Sequence, residues 1–144
     1  MDSKSMNLLL DNKNHKRIMI IDDDVDITNL FKIFLECNGY NIDAYTSPIE
    51  GIKNFRKNSH DLIILDLKMP KMDGMTLYRK IKEIDDTVIV CFTTADKNYI
   101  QELQKGILNI EKTVIYKPIL LRDLKNKVDS LIQDEESKSM ILTN

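Results

Sequence analysis

Two hydrophobic periods alternate along the chain. The continuous apolar run "RIMII" at residues 17–21 suits a strand buried on both faces. The period then becomes helical, with Ile27, Leu30, Phe31, Phe34 and Leu35 on one stripe that ends at Asn38-Gly39. The cycle repeats: "YNIDAY" (40–45) predicts a second strand, and "SPIEGIKNFRKN" (47–58) a helix with Ser47 as N-cap, Pro48 in the first turn, and Ile49, Ile52 and Phe55 inward. "DLIIL" (61–65) predicts the third strand, "MTLYRKIKEI" (75–84) a helix burying Leu77, Ile81 and Ile84, and "TVIVCF" (87–92) the fourth strand. "DKNYIQELQKG" (96–106) reads as a helix with Tyr99, Ile100 and Leu103 inward, and "KTVIY" (112–116) as the fifth strand. "ILLRDLKNKVDSLIQ" (119–133) is the last helix, with Leu121, Leu124, Val128 and Leu131 inward.

Five strand–helix units predict an α/β fold: one domain built on a doubly wound, five-stranded parallel sheet with helices on both faces. A parallel crossover needs about a dozen residues, which a helix supplies compactly. The domain is expected over residues 15–133, between polar, flexible tails at 1–14 and 134–144. An open sheet of this kind gathers its functional groups at the carboxyl ends of the strands. The residues just after each strand therefore belong together.

Composition narrows the function classes. At 144 residues the chain fits one domain with a real core. A net charge of -2, with acidic and basic residues interspersed, gives no field to draw it onto nucleic acid, so no direct DNA binding is expected. The N-terminus has just three consecutive apolar residues, Leu8–Leu10, and no run approaches transmembrane length, so neither a signal peptide nor a membrane partner is expected. Cys37 and Cys91 lack metal-like spacing and read as buried, reduced thiols of a cytoplasmic protein.

The strand ends carry chemistry. Asp22, Asp23 and Asp24 follow the first strand, Asp66 the third, Thr93 and Thr94 the fourth, and Lys117 the fifth. Asp24 suits a helix cap, and Thr94 could do the same job for the next helix. The remaining carboxylates repel one another unless a cation sits among them, and a hard divalent ion with oxygen ligands, magnesium or manganese, fits. Lys117 precedes Pro118, which favours an extended backbone and delivers the ammonium to the acids. A metal ion, a lysine and a hydroxyl around one carboxylate suit phosphoryl transfer, with Asp66 as the nucleophile.

The segments "IMIIDDD", "LIILDLKMPKMDG", "FTTAD" and "IYKPI" together resemble the receiver domain of two-component response regulators, over residues 16 to about 132. The gaps of 28 residues from Asp66 to Thr94 and 23 from Thr94 to Lys117 suit that family. The resemblance implies that Asp66 accepts phosphate from a sensor histidine kinase or a histidine phosphotransfer protein. Asp23 and Asp66 would bind the metal directly, Asp22 would assist through water, and the Lys68 backbone carbonyl would complete the protein ligands. Thr94 would be the switch hydroxyl, Lys117 the cation paired with the acyl phosphate, and Pro70 and Gly74 would shape the loop, with Met69 and Met72 as packing. The implied protein is a signalling switch rather than an enzyme, a stand-alone receiver whose output is binding to a downstream target or passage of its phosphate to another histidine.

Two features depart from the family pattern. Val114 stands where a switch aromatic is usual, three residues before the lysine, while Tyr116 directly precedes Lys117; and Gly106 is followed by "ILNIEK" rather than by the usual Gly-Ala pair. Lys68 and Asp96, two residues beyond Asp66 and Thr94, carry opposite charges that could pair across the mouth of the site. Two rival readings remain. "DVDIT" (24–28) spells the D-x-D-x-T of haloacid-dehalogenase-type phosphatases, but Asp22 and Asp23 intervene after the strand and "LDLKMPKMDG" is left unexplained. A pseudo-receiver that takes no phosphate would have little reason to keep the whole set of acids, hydroxyl and lysine.

Overall fold

The computed structural model describes residues 2–5, 16–106 and 110–143, with side chains as far as residue 136. In chain order the elements are β1 (Arg17–Ile21), α1 (Val25–Cys37), β2 (Asn41–Tyr45), α2 (Pro48–Lys53), β3 (Leu62–Asp66), α3 (Gly74–Ile84), β4 (Ile89–Thr94), α4 (Lys97–Leu103), a 3-10 turn (Ile110–Thr113), β5 (Val114–Tyr116) and α5 (Leu121–Thr143). The strands form one five-stranded sheet in the order β2-β1-β3-β4-β5, and every pairing is parallel.

Alternation along the strands builds two cores. Met19, Ile21, Ile63, Leu65, Val90 and Phe92 pack with Phe55, Leu77, Ile81 and Ile100 on the face covered by α2, α3 and α4. Ile18, Ile20, Leu62, Ile64, Cys91 and Ile115 pack with Phe31 and Leu35 of α1 and with Leu124, Val128 and Ile132 of α5. Because both faces are covered, the central strands are near-continuous apolar runs up to their carboxyl ends. β3 is buried at all five positions.

Capping follows the sequence where side chains dictate it. Asp24 and Ser47 accept hydrogen bonds from the Ile27 and Glu50 amides at the starts of α1 and α2. Gly39, after the Asn38 cap, takes φ 96°, a left-handed conformation that glycine adopts without strain.

Several boundaries differ from expectation. β4 is displaced two residues toward its C-terminus, because Asp85 Oδ1 accepts from both the amide and the hydroxyl of Thr87 and holds it in a turn. β5 loses Lys112 and Thr113 to the 3-10 turn, whose Thr113 hydroxyl donates to the Ile110 carbonyl. α2 stops at Lys53, where the Asn54 side chain donates to the Glu50 carbonyl and caps the helix end. α5 continues to Thr143, well past the expected end at residue 133, since no Gly or Pro interrupts it. Residues 1 and 6–14 of the expected N-terminal tail and residue 144 of the C-terminal one lie outside the described residues.

Three burial expectations are corrected as well. Leu30 and Ile49, expected inward, are 50% and 43% exposed. The buried stripe of α1 runs through Thr28, Phe31 and Leu35, and Leu30 lies to one side of it. Cys37 is exposed rather than buried, at the last residue of α1, whereas Cys91 is enclosed and burial pushes its thiol up to about 12.

Candidate functional site

Each strand of the central trio carries a polar group at or just past its carboxyl end, at the same sheet edge: Asp22 after β1, Asp66 at the end of β3 and Thr94 at the end of β4. Asp66 is the final residue of β3, buried, and level with Thr93 in the β3–β4 register. Asp22 directly follows β1 and is 2% exposed; its amide donates to the Tyr45 carbonyl, extending the β1–β2 pairing by one residue. Thr28, buried on the first turns of α1, donates its hydroxyl to the Asp22 and Asp24 carbonyls and so fixes the acidic loop. Thr28 entered the sequence reading only as the threonine of D-x-D-x-T; for this anchoring role, its spacing of four from Asp24 on a helix was the signal available.

The carboxylates converge. Oxygens of Asp22, Asp23 and Asp66 lie within 4.8 Å of one another, Asp23 being the exposed member. Lys117 reaches into the cluster from β5: its Nζ is 2.9 Å from Asp22 Oδ2 and 3.5 Å from Asp66 Oδ2. The Lys117 amide donates to the Thr94 carbonyl, which carries strand pairing to the lysine itself, and the Lys117–Pro118 peptide bond is cis.

Electrostatics set these groups apart from surface charges. Burial raises the Asp66 carboxyl, the Asp22 charge raises it further, and the Lys117 ammonium offsets part of this, leaving it at about 6. Burial works against the Lys117 charge too, yet the bonds to Asp22 and Asp66 outweigh it and hold the ammonium above its usual value. Three carboxylates thus face one ammonium. A site of oxygen donors with negative charge left over suits a hard divalent cation such as magnesium, whose preference is for carboxylate and carbonyl oxygen. The chemistry of this donor set fits such an ion.

The loop after β3 is folded back on the site. The Lys68 amide donates to Asp66 Oδ1, so the main chain that bears the Lys68 carbonyl turns around the carboxylate. Gly74 closes the loop: its amide donates to the Leu67 carbonyl, and a Cβ there would sit 2.6 Å from Leu67 Cα. Only glycine permits that approach. Met69 is buried in the adjoining core and Met72 packs against it, while Pro70 is exposed on the loop.

Thr94 is the last residue of β4 and 1% exposed. Its Oγ1 accepts from the Asp96 amide, and Asp96, not Thr94, caps α4 by accepting from the Asn98 and Tyr99 amides. Lys68 Nζ lies 2.7 Å from Asp96 Oδ2, so the two charges do pair at the mouth of the site. Hydrogen bonding to Lys68 lowers the Asp96 carboxyl, and the same bond raises the Lys68 ammonium. Val114 is buried in the core beneath, and Tyr116 points outward, its ring 5.5 Å from Lys97 Nζ.

The fold and this edge of buried acids, hydroxyl and lysine define a receiver, and comparison with known proteins agrees. A family model described as the response regulator receiver domain matches residues 18–129, and the chain belongs to that family. Among curated relatives it is 30% identical over 137 residues to the transcriptional regulatory protein ResD of Bacillus subtilis, covering 94% of this chain and 55% of ResD. It is 27% identical over 130 residues to the transcriptional regulatory protein RprY of Bacteroides fragilis, covering 90% of this chain and 55% of RprY. The chain spans about half the length of the curated relatives it matches. Among solved structures, a CheY-like response regulator receiver domain protein from Methanospirillum hungatei superposes with a TM-score of 0.74 at 28% identity, over 85% of this chain and 98% of that one. A receiver domain protein from Clostridium thermocellum superposes at 0.69 with 30% identity, over 88% and 98%. The protein is thus a signalling domain of two-component systems, a class that interacts with histidine kinases or phosphotransfer proteins and binds magnesium at an acidic pocket. No described helix is long and apolar enough to cross a membrane.

Proposed function

We propose that this receiver accepts a phosphoryl group on Asp66 from a phosphohistidine, and that the modified state changes the affinity of the domain for a protein partner. The observation that carries the reading is the Lys117 bridge between Asp22 and Asp66 inside a cluster of three carboxylates. Such a bridge readies one buried carboxylate for an anionic substrate while holding positive charge beside it.

Asp22, Asp23 and Asp66, with the Lys68 carbonyl, would hold magnesium or manganese, which supplies charge neutralisation for the transferring phosphoryl oxygens. The chain's own residues do the rest. An Asp66 carboxylate oxygen attacks phosphorus, the P–N bond to the donor imidazole breaks, and the electron pair returns to that nitrogen. Lys117 stabilises the acyl phosphate. Thr94 then turns its hydroxyl to a phosphoryl oxygen and gives up the Asp96 amide, loosening the cap of α4. Phosphate at Asp66 is in this way linked to the start of α4, a local bond exchange that biases a two-state element.

The donor is expected to dock beside the acidic edge. Val25, Leu30 and Ile33 of α1 are 56%, 50% and 62% exposed, and Leu120, three residues past Lys117, is 60% exposed. Apolar side chains of this size on the surface near the site offer a contact for a partner helix.

The haloacid-dehalogenase reading is not supported by the positions of its motif. Its nucleophile would be Asp24, an exposed residue already occupied in capping α1, and its threonine, Thr28, is engaged with main-chain carbonyls. Incubation with magnesium and a small phosphodonor such as acetyl phosphate should add one phosphate by mass, lost in Asp66→Asn. Phosphate that persists in Asp66→Asn, or none on the wild type, would refute the assignment.

A further inference from the structure

One polar group at the site has no part in the scheme so far. Thr93 is 1% exposed, and its Oγ1 is buried without a hydrogen-bond partner among the described residues. A hydroxyl taken out of water and left unpaired destabilises the fold, and valine, of the same shape, would avoid the loss. Such groups in native proteins call for a reason.

The register supplies one. Thr93 pairs with Asp66 on β3 and with Ile115 on β5. Residues level in a parallel sheet project to the same face, with strands about 4.8 Å apart. Cys91, Ile64 and Ile115 belong to the core under α1 and α5, and Thr93, Asp66 and Lys117 each lie two residues beyond one of them. These three side chains therefore share one face at the site edge. Lys117 must pass the line of β4 to reach Asp66 from β5, and on that face Thr93 is the last β4 residue before the site edge, level with Asp66.

We propose that Thr93 is a positioning residue of the phosphorylation site, its hydroxyl receiving the Lys117 ammonium and donating to the Asp66 carboxyl as the pair rearranges around an incoming phosphoryl group. This rests on the assignment of Asp66 as the acceptor. A hydroxyl is suited to the place because it can accept from an ammonium and donate to a carboxyl at once. The Lys117 ammonium has three donors, and Asp22 takes one at 2.9 Å while Asp66 stands at a longer 3.5 Å. As charge moves from the carboxylate to the phosphoryl oxygens, the ammonium must shift with it. Thr93 gives it a fixed contact along that path. The unpaired hydroxyl of the unmodified site is then a stability loss accepted for function.

The test uses Thr93→Val, Thr93→Ala and Thr93→Ser in the full chain, with acetyl phosphate and magnesium. Thr93→Val is expected to melt no lower than wild type yet to phosphorylate roughly three- to tenfold more slowly, the size of one lost hydrogen bond. Thr93→Ser should stay within about twofold of wild type, whereas Thr93→Ala, a second hydroxyl-free variant should Thr93→Val fail to fold, should be slow. Wild-type rates in both hydroxyl-free variants would overturn the proposal. Thr93→Ser slowed as much as the other two would also overturn it, since the methyl group would then be what matters. If wild type takes no phosphate on Asp66, the function assignment itself falls; normal wild-type phosphorylation with unaffected variants removes only the role of Thr93.

Discussion

Burial and the neighbouring Asp22 raise the Asp66 carboxyl to about 6, against an ordinary value of 3.8. Between those values the folded protein binds a proton that the unfolded chain has released, so stability falls as pH rises through the window. The contribution is fully present below about pH 4 and gone above about pH 6. In metal-free buffer, Asp66→Asn should therefore melt higher than wild type at pH 7, by roughly 1–3 kcal/mol, and show a flatter profile from pH 4 to 6. Thermal melts across that range check it, and equal midpoints at pH 7 would count against a strained carboxylate. Magnesium should raise the wild-type midpoint and have less effect on the variant. The Lys68–Asp96 pair belongs to the same scale. It stands over the approach to Asp66, so breaking it with Lys68→Ala should speed loss of phosphate by roughly two- to fivefold, an effect that 1 M salt reproduces in wild type. Decay of the phosphorylated protein is the measurement. At this scale the candidate acids, Thr94 and Lys117 could be read from the sequence, because strand ends in a parallel sheet share an edge. Thr93 as an unpaired hydroxyl could not, since hydrogen-bond satisfaction depends on neighbours brought from distant segments.

Among the elements, the loop from β3 to α3 is the most tightly specified. Gly74→Ala would drive a Cβ to 2.6 Å from a backbone atom of Leu67, with no flexible side chain to yield. A loss of roughly 1–3 kcal/mol is expected, with a lower melting midpoint and slower phosphorylation, because the same loop carries the Lys68 amide that holds Asp66. Helix α1 offers a different test. Leu30→Asp with Ile33→Asp alters only exposed positions, so acetyl phosphate should modify this variant at the wild-type rate while transfer from a phosphohistidine partner slows tenfold or more. Equal transfer from both donors would place the docking face elsewhere. β1 was legible to the residue, since "RIMII" has no alternative pairing of period and length. Leu30 and Ile49 were misread because a stripe drawn on a sequence shows which residues are apolar but not which edge of the stripe meets the sheet, and the start of β4 because Asp85 draws Thr87 into a turn.

For the whole molecule, alternation of strand and helix was enough to foresee a five-stranded parallel sheet covered on both faces. The order β2-β1-β3-β4-β5 puts β1 and β3 side by side at the centre, which is why acids forty-odd residues apart in sequence meet within 4.8 Å. What the pattern could not give was the reach of β5, shortened to three residues by the turn before it. That short strand carries Lys117 at its end. With three rungs to β4 and, among the described residues, no neighbour on its other side in the sheet, it is the rib of the scaffold most easily sprung. The cation that answers to Asp66 is thus mounted on the compliant margin of the sheet while the acids stand on its stiff middle, so an adjustment of charge at the centre is relieved by a small give at the rim.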